Sequence, residues 1–228
     1  MLETEKTGLL VFTESANQLV KRKKLASNRF CNQLLHKLLL RKTKALVEAT
    51  SSDYIWWDES RQEGNTFHER LYHAIAAQFE SGFDRLIVIG SDHPNLTQTH
   101  IRKALSILHS GKSVLGPAAD GGCYLFSIEK SDFQDFCAAA ISWQEKSVQE
   151  EILDFFAVRR KKCVQLNILE DLDDENDLAY LIGKLGHTSI LRRLKSIFNL
   201  PLRSPKILRY TELSIPIYSI AGRAPPLW

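Results

Sequence analysis

An aspartate placed directly after a wholly apolar run is the first candidate for chemistry in this sequence. Arg85-Leu-Ile-Val-Ile-Gly90 has the composition of a strand buried on both faces, and Gly90-Ser91-Asp92-His93-Pro94 follows it without a gap. Pro94 cannot donate to a strand ladder and helps turn the chain out of the sheet, which displays Asp92 at the sheet's carboxyl edge. A carboxylate there suits a hard cation that keeps several waters and also touches substrate phosphate. The position suits a turn-forming or helix-capping aspartate equally well, and His93 is either a further ligand or a bystander in the turn.

Three more stretches have comparable content. In Gly116-Pro-Ala-Ala-Asp120-Gly121-Gly122 the glycines allow close backbone approach to a ligand around Asp120, yet Asp-Gly is also the strongest short hairpin signal. Glu170-Asp171-Leu-Asp173-Asp174-Glu175-Asn-Asp177 offers a second carboxylate to a metal. It also offers a helix cap, with Asp173 or Asp174 as N-cap and Asp177 in a capping-box-like position. Lys21-Arg22-Lys23-Lys24 is a basic cluster; it reads as a site for one local anionic ligand or as a solvated helix face.

These residues need a scaffold, and the pattern predicts one. Gly8–Thr13, Ser51–Trp57, Arg85–Gly90, Ser113–Gly116, Cys123–Ile128 and Cys163–Leu169 read as strands. Leu25–Ala49, a segment capped by Asn65-Thr66 and ended by Gly82, Thr97–His109, Phe133–Ala140, Lys146–Val158 and Asp174–Leu185 read as helices. The order β-α-β-α-β-α-β-β-α-α-β-α predicts an α/β fold with a mostly parallel, doubly wound sheet. Such sheets bind ligands outside the carboxyl ends of their strands, near the switch in strand order.

Composition narrows the classes. The chain has 228 residues, 44% hydrophobic and 25% charged, enough for one domain with an appendage. No apolar run reaches the length of a membrane span and the start MLETEKTG lacks an apolar signal core, so the expectation is a cytoplasmic protein. Cys31, Cys123, Cys137 and Cys163 are far apart and form no C-x-x-C, which argues against a zinc site or a disulfide framework. The net charge of +3 is uneven: +8 over residues 21–50, −9 over 51–185 and +6 over 186–228. A body this acidic argues against nucleic acid as the partner.

Taken together, Ile89-Gly-Ser-Asp-His-Pro94 and Leu115-Gly-Pro-Ala-Ala-Asp-Gly-Gly-Cys-Tyr-Leu125 resemble the paired signature of an uncharacterised family of glycosyltransferase-A-like proteins, some labelled transferase 1 in radical-SAM/selenodomain contexts. Gln62-Glu-Gly64, Phe67 and Arg70-Leu71 with Ala74 resemble the family's segment before the central strand. Trp143 with Val148 resembles a later tryptophan motif, and Asp171-Leu-Asp173 with Asp177-Leu178 its closing acidic motif. The resemblance spans about residues 8–185 and implies a three-layer α/β/α nucleotide-diphospho-sugar transferase fold, similar to the molybdenum-cofactor guanylyltransferases. It implies Mg²⁺ or Mn²⁺ held by Asp92 and Asp173, with Asp171 the weaker alternative, and Asp92 and Asp120 as catalytic residues. His93 shares with Asp120 the candidacy for general base. Lys21, Arg22, Lys24, Arg70, Gly121 and Gly122 are the implied nucleotide or phosphate contacts.

The family's Lys-x-Pro-x-x-Gly-x-x-Lys-x-Arg-Leu-like loop is altered here to Thr13-Glu-Ser-Ala-Asn-Gln-Leu-Val-Lys-Arg-Lys-Lys-Leu25, without its Pro and Gly. The implied function is a metal-dependent glycosyl transfer from a nucleotide-sugar to an acceptor that the sequence does not name. The alternatives are nucleotidyl transfer from a nucleoside triphosphate, and a member that binds nucleotide or sugar without turnover. Residues 1–185 are the expected domain. Residues 186–228 are a basic extension that admits packing on the domain, contact with an anionic membrane surface, or oligomerisation.

Overall fold

The computed structural model describes residues 5–184, so the extension from 186 lies outside the described residues. The elements run β1 (Thr7–Phe12), α1 (Ala16–Arg22), α2 (Arg29–Glu48), β2 (Tyr54–Trp57), α3 (Phe67–Glu80), β3 (Arg85–Ile89), α4 (Gln98–His109), β4 (Ser113–Pro117), β5 (Cys123–Glu129), a 3-10 turn (Lys130–Asp132), α5 (Phe133–Ala138), α6 (Val148–Val158), β6 (Cys163–Gln165) and α7 (Glu175–Lys184). The six strands form one sheet in the order β2-β1-β3-β5-β4-β6. All are parallel except β5, which runs against both its neighbours. That reversal follows from chain length: residues 118–122 are too few for the crossover that a parallel partner of β4 requires.

Residues on β3 alternate between two cores. Leu86 and Val88 pack with Leu10, Phe126 and Ile128 on the face covered by α3, α5 and α6. Ile87 and Ile89 pack with Leu9, Val11 and Leu125 on the face covered by α4 and the end of α2. Both faces are thus buried, and the run reads as continuously apolar rather than alternating. A third cluster joins Leu25 and α2 to α7. Among the described residues no helix is long and apolar enough to cross a membrane, and all four cysteines are free thiols.

The expected elements are present with four differences. Helix α2 begins at Arg29 rather than Leu25, because the Asn28 side chain caps it there by accepting from Phe30 N and Cys31 N. Helix α1 lies in a stretch that reads as loop; it buries only Ala16 and Leu19, too little to leave a periodic signal. Strand β6 stops at Gln165 rather than Leu169, and the chain returns to the sheet only at an isolated bridge between Ala118 and Leu169. Strand β2 begins at Tyr54, because Ser51–Asp53 form the turn out of α2.

One ion triplet clamps the sheet edge away from the cleft. Lys161 Nζ bonds Glu129 Oε2 at 2.7 Å and also Asp132 Oδ2. Burial disfavours the ammonium, but Asp132 and Glu129 outweigh it and raise the Lys161 pKa. A raised lysine contributes stability below its ordinary pKa and loses it as pH rises through the folded value. Lys161→Met is therefore expected to cost about 1–2 kcal/mol at pH 7, discounted for partial exposure. Thermal melts of wild type and variant should draw together only as the pH is raised beyond the ordinary lysine pKa of about 10.4.

Candidate active site

The chain reverses direction at β1: β2 lies on one side of it and β3 on the other. The crevice outside the carboxyl ends of β1 and β3 is the switch point at which doubly wound sheets bind ligands. Here the two strand ends are tied by a 2.6 Å hydrogen bond between Thr13 Oγ1 and Ser91 Oγ. Gln62 Nε2 donates to the Thr13 carbonyl at 2.6 Å. Asp92 comes next after Ser91.

Backbone hydrogen bonds bring the distant acidic stretches to this rim. Leu172 N donates to Asp92 O at 3.0 Å, Leu169 N to Pro117 O at 3.1 Å, and Ala119 N to Leu169 O at 3.0 Å. On the other side, Lys24 and Asp174 form an isolated parallel bridge. The Asp92 and Asp173 side chains consequently meet at one point, the ammonium of Lys23. Its Nζ is 2.6 Å from Asp92 Oδ2 and bonds Asp173 Oδ1 as well.

The competing roles left open for the acidic run divide between neighbours. Asp174 caps α7: its Oδ1 accepts from Asn176 N at 2.7 Å and Asp177 N at 3.0 Å. Asp177 Oδ2 reciprocates by accepting from Asp173 N and Asp174 N. This leaves the Asp173 carboxylate facing the cleft. At Asp120 the turn and the exposed site coexist. Its Oδ1 accepts from Gly122 N at 2.8 Å, and the residue still lines the cleft.

The electrostatics of the rim are lopsided. Asp92, Asp120, Asp171 and Asp173 all line it. Burial opposes the ionised form of Asp92, but Lys23 and His93 overcome this and hold its carboxyl well below the usual range. Asp171 goes the other way: burial and the Asp120 carboxylate push it up to about 6. His93 Nδ1 lies 2.9 Å from Asp92 Oδ1, close enough for an ion pair but not aligned for a hydrogen bond. Among the described residues neither ring nitrogen of this buried histidine makes a hydrogen bond.

The opposite wall is apolar and aromatic, built from Phe12, Phe67, Phe126 and Trp143. Trp143 Nε1–H donates to Tyr72 Oη at 3.0 Å, which fixes the indole. The cleft between the walls holds about 390 Å³, within the range of small-molecule sites.

Of the residues singled out from sequence, Arg22, Arg70, Asp92, Asp120, Gly122 and Asp173 line this cleft, as do His93 and Asp171. Arg22 pairs with Glu14 at 3.3 Å. Lys21, Lys24 and Gly121 lie outside the lining. Lys21 is exposed and bonds Gln18, and Lys24 reaches towards Glu175 at 3.8 Å. Gly121 packs against the backbone of Lys146. Sequence reasoning named Lys23 only within the basic cluster and Gln62 only within the family segment, and it passed over Glu59, whose carboxylate accepts from Ser15 N at 2.5 Å at the start of α1. Four consecutive basic residues look alike in sequence; only the Lys24–Asp174 bridge selects Lys23.

Gly121 follows Asp120 in a turn that only a residue without a side chain fits. It sits at φ +96°, and a Cβ there would come within 2.2 Å of the Lys146 carbonyl oxygen. Gly121→Ala is expected to cost at least about 2 kcal/mol, since it combines a left-handed backbone with a backbone clash. Urea denaturation measures it.

Among the described residues no preassembled set of three or more His, Cys, Asp or Glu side chains is poised on a metal. Two observations nevertheless fit Mg²⁺ or Mn²⁺ at Asp92 and Asp173. The oxygen donors are hard, and a cationic stand-in, the Lys23 ammonium, already joins them.

Residues 36–144 match the DUF2064 family, described as an uncharacterized protein conserved in bacteria. This segment, just under half of the chain, is similar to that family. It contains Asp92, Asp120, Arg70 and Trp143, while Lys23 and Asp173 come from outside it. A protein from Desulfovibrio desulfuricans G20, described provisionally as a nucleotide-diphospho-sugar transferase, superposes at a TM-score of 0.69 with 21% identity, over 86% of this chain and 98% of its own. The 4-diphosphocytidyl-2C-methyl-D-erythritol synthase of Anaerococcus prevotii DSM 20548 superposes at 0.50 with 11% identity, over 79% and 96%. The fold is thus that of the nucleotide-diphospho-sugar transferases. No curated protein matches the sequence significantly.

Proposed function

We propose that this protein is a metal-dependent transferase acting on a nucleotide-activated substrate, with glycosyl transfer from a nucleotide-sugar as the preferred reaction. The observation that carries this reading is the convergence of Asp92 and Asp173 on one cation position in the switch-point crevice, in the same cleft as Arg22 and Arg70.

A bound Mg²⁺ or Mn²⁺ would supply charge stabilisation for the leaving diphosphate. Asp92 and Asp173 would hold it, with two oxygen donors from elements far apart in sequence. Arg22 and Arg70 add positive charge from the rim, and the guanidinium fork matches phosphate geometry. The aromatic wall of Phe12, Phe67, Phe126 and Trp143 excludes water and offers flat faces to a base or a sugar ring.

In glycosyl transfer an acceptor hydroxyl forms a bond to the anomeric carbon as the bond from that carbon to the diphosphate oxygen breaks. The electron pair departs with the nucleoside diphosphate. The hydroxyl proton goes to a base, for which Asp120 and His93, both in the cleft lining, are the two candidates. Nucleotidyl transfer would use the same cation position and the same basic residues. A binding role without turnover draws support from the altered loop and from Lys23 filling the cation position.

Titration calorimetry with nucleoside di- and triphosphates and nucleotide-sugars, with and without Mn²⁺, tests the reading. Metal-dependent binding supports it, and no binding of any nucleotide sinks it. Binding of a nucleotide-sugar that is neither hydrolysed nor transferred favours the binding role.

A further inference from the structure

Lys23 is held as firmly as the carboxylates it joins. Its side chain is 18% exposed, and its ammonium is bonded to both Asp92 and Asp173. The backbone at this residue is pinned from the opposite side by two buried polar side chains of α2. Asn32 Nδ2 donates to the Lys23 carbonyl at 3.2 Å, and His36 Nε2–H donates to the same oxygen at 3.1 Å. Asn32 Oδ1 in turn accepts from Leu25 N at 2.8 Å. Helix α1 ends here with Lys23 as its C-cap, in extended conformation. The main chain is thus fixed, and the freedom that remains is in the flexible four-carbon stem.

The rim is not neutralised by this arrangement. Asp92, Asp120, Asp171 and Asp173 line the cleft with Lys23, Arg22 and Arg70; the Lys23 ammonium bonds Asp92 and Asp173, and Arg22 is paired with Glu14. A divalent cation offers two charges where Lys23 offers one, and it needs the same carboxylate oxygens. Two cations cannot share that position, because their repulsion at such close range exceeds what either gains. Lys23 would then be displaced, with its backbone still fixed at the mouth of the cleft that Arg22 also lines.

We infer that Lys23 is an exchangeable internal counter-ion: it holds the Asp92–Asp173 pair together in the metal-free protein, yields the position to a divalent cation, and then turns its charge towards the phosphates of the nucleotide. The inference rests on the function proposed above. It gives the residue two opposite effects. Lys23 weakens binding of the metal alone, because it must be displaced, and strengthens binding of the metal-loaded protein to nucleotide. A residue that only stabilises the fold would not produce this pair of signs.

The test compares wild type with Lys23→Met in Mn²⁺ titrations followed by electron paramagnetic resonance, then in titrations with a nucleoside diphosphate at saturating Mn²⁺. Lys23→Met should bind Mn²⁺ about 10-fold more tightly and the nucleoside diphosphate about 10-fold more weakly, the scale of one charge-assisted hydrogen bond in each case. Unchanged or weaker Mn²⁺ binding by the variant overturns the inference. A second measurement needs no variant. Amine-reactive labelling of wild type, read by mass spectrometry, should show Lys23 at least about fivefold more reactive with saturating Mn²⁺ than with chelator, because the exchange exposes its amine. Lys161, locked to Glu129 and Asp132, is the internal reference and should not change. Lys23 reactivity that ignores bound Mn²⁺ overturns the exchange even if Lys23→Met fails to fold. Wild type that binds neither Mn²⁺ nor nucleotide brings down the transferase reading itself. Wild type that binds both, with Lys23→Met indistinguishable from it, brings down only the role of Lys23.

Discussion

Asp92→Asn is expected to lower metal-dependent nucleotide binding and turnover by at least about 100-fold, the scale of removing one preorganised electrostatic contact from an active site. The substitution keeps the shape of the side chain and removes its charge. Asp92 is held well below the usual carboxylate range, and both Lys23 and His93 act on it. Neutralising it leaves Lys23 with Asp173 alone, so some stability is lost too, about 1–3 kcal/mol for a partly orphaned charge. The two effects separate readily. Circular dichroism and gel filtration should show an intact fold, while calorimetry with Mn²⁺ and nucleotide shows the loss. Lys24→Ala, outside the cleft lining, is the matched control and should change binding less than about twofold, as expected for an exposed pair. Equal binding by Asp92→Asn and wild type would remove the basis for the proposed function.

Phe136→Ala carries the largest expected effect on stability, about 3–5 kcal/mol. Its ring is fully buried and lies 5.6 Å from Phe126 in a stacked arrangement, 5.0 Å from Phe155 edge-on, and 6.2 Å from Trp143. Such aromatic contacts add to the area they bury. A loss of this size is a large share of the about 5–15 kcal/mol that holds a domain folded. It corresponds to a fall in melting temperature of roughly 6–20 °C for a protein of this length. The consequence reaches the site, because Trp143 leans on Phe136, Phe126 and Tyr72 to form the cleft wall. At a temperature where the variant is still folded, weaker nucleotide binding should accompany the lower melting point. A variant that melts within about 2 °C of wild type would contradict the packing described, since that shift is under 1 kcal/mol.

The architecture was legible because its signals are local. Leu86–Ile89 announces a doubly buried strand by composition, Thr66 and Glu69 announce the start of α3 by their spacing, and Asp92 is conspicuous through what precedes it. The site was legible only in part, because long-range pairing chooses among equivalent neighbours. Asp173 and Asp174 are indistinguishable in sequence, and the cap of α7 takes the second while the first is left to the cleft. The same holds for Lys21 to Lys24, of which the bridge to Asp174 delivers Lys23 to the acids. Helix α1 was invisible for a related reason: its first turn is met by Glu59, a residue 44 positions away.

The turn at 118–122 is closed by one internal hydrogen bond and fastened to two other segments. Ala118 N bonds Gly122 O within the turn, Ala119 N bonds Leu169 O, and Gly121 O accepts from Gln149 N. Lengthening or shortening it would break several of these at once, so this part of the rim is closed to diversification. The connection from β2 to α3 is its opposite: Ser60, Arg61 and Glu63 to Thr66 are exposed, while Gln62 between them reaches the cleft. Loop tips of this kind accept insertions with little loss of stability. Ligand preference in related chains, and in libraries built on this one, is therefore freer to change around Ser60 and Glu63 than at the turn, provided that Gln62, Gly64 and the Thr66 cap are kept.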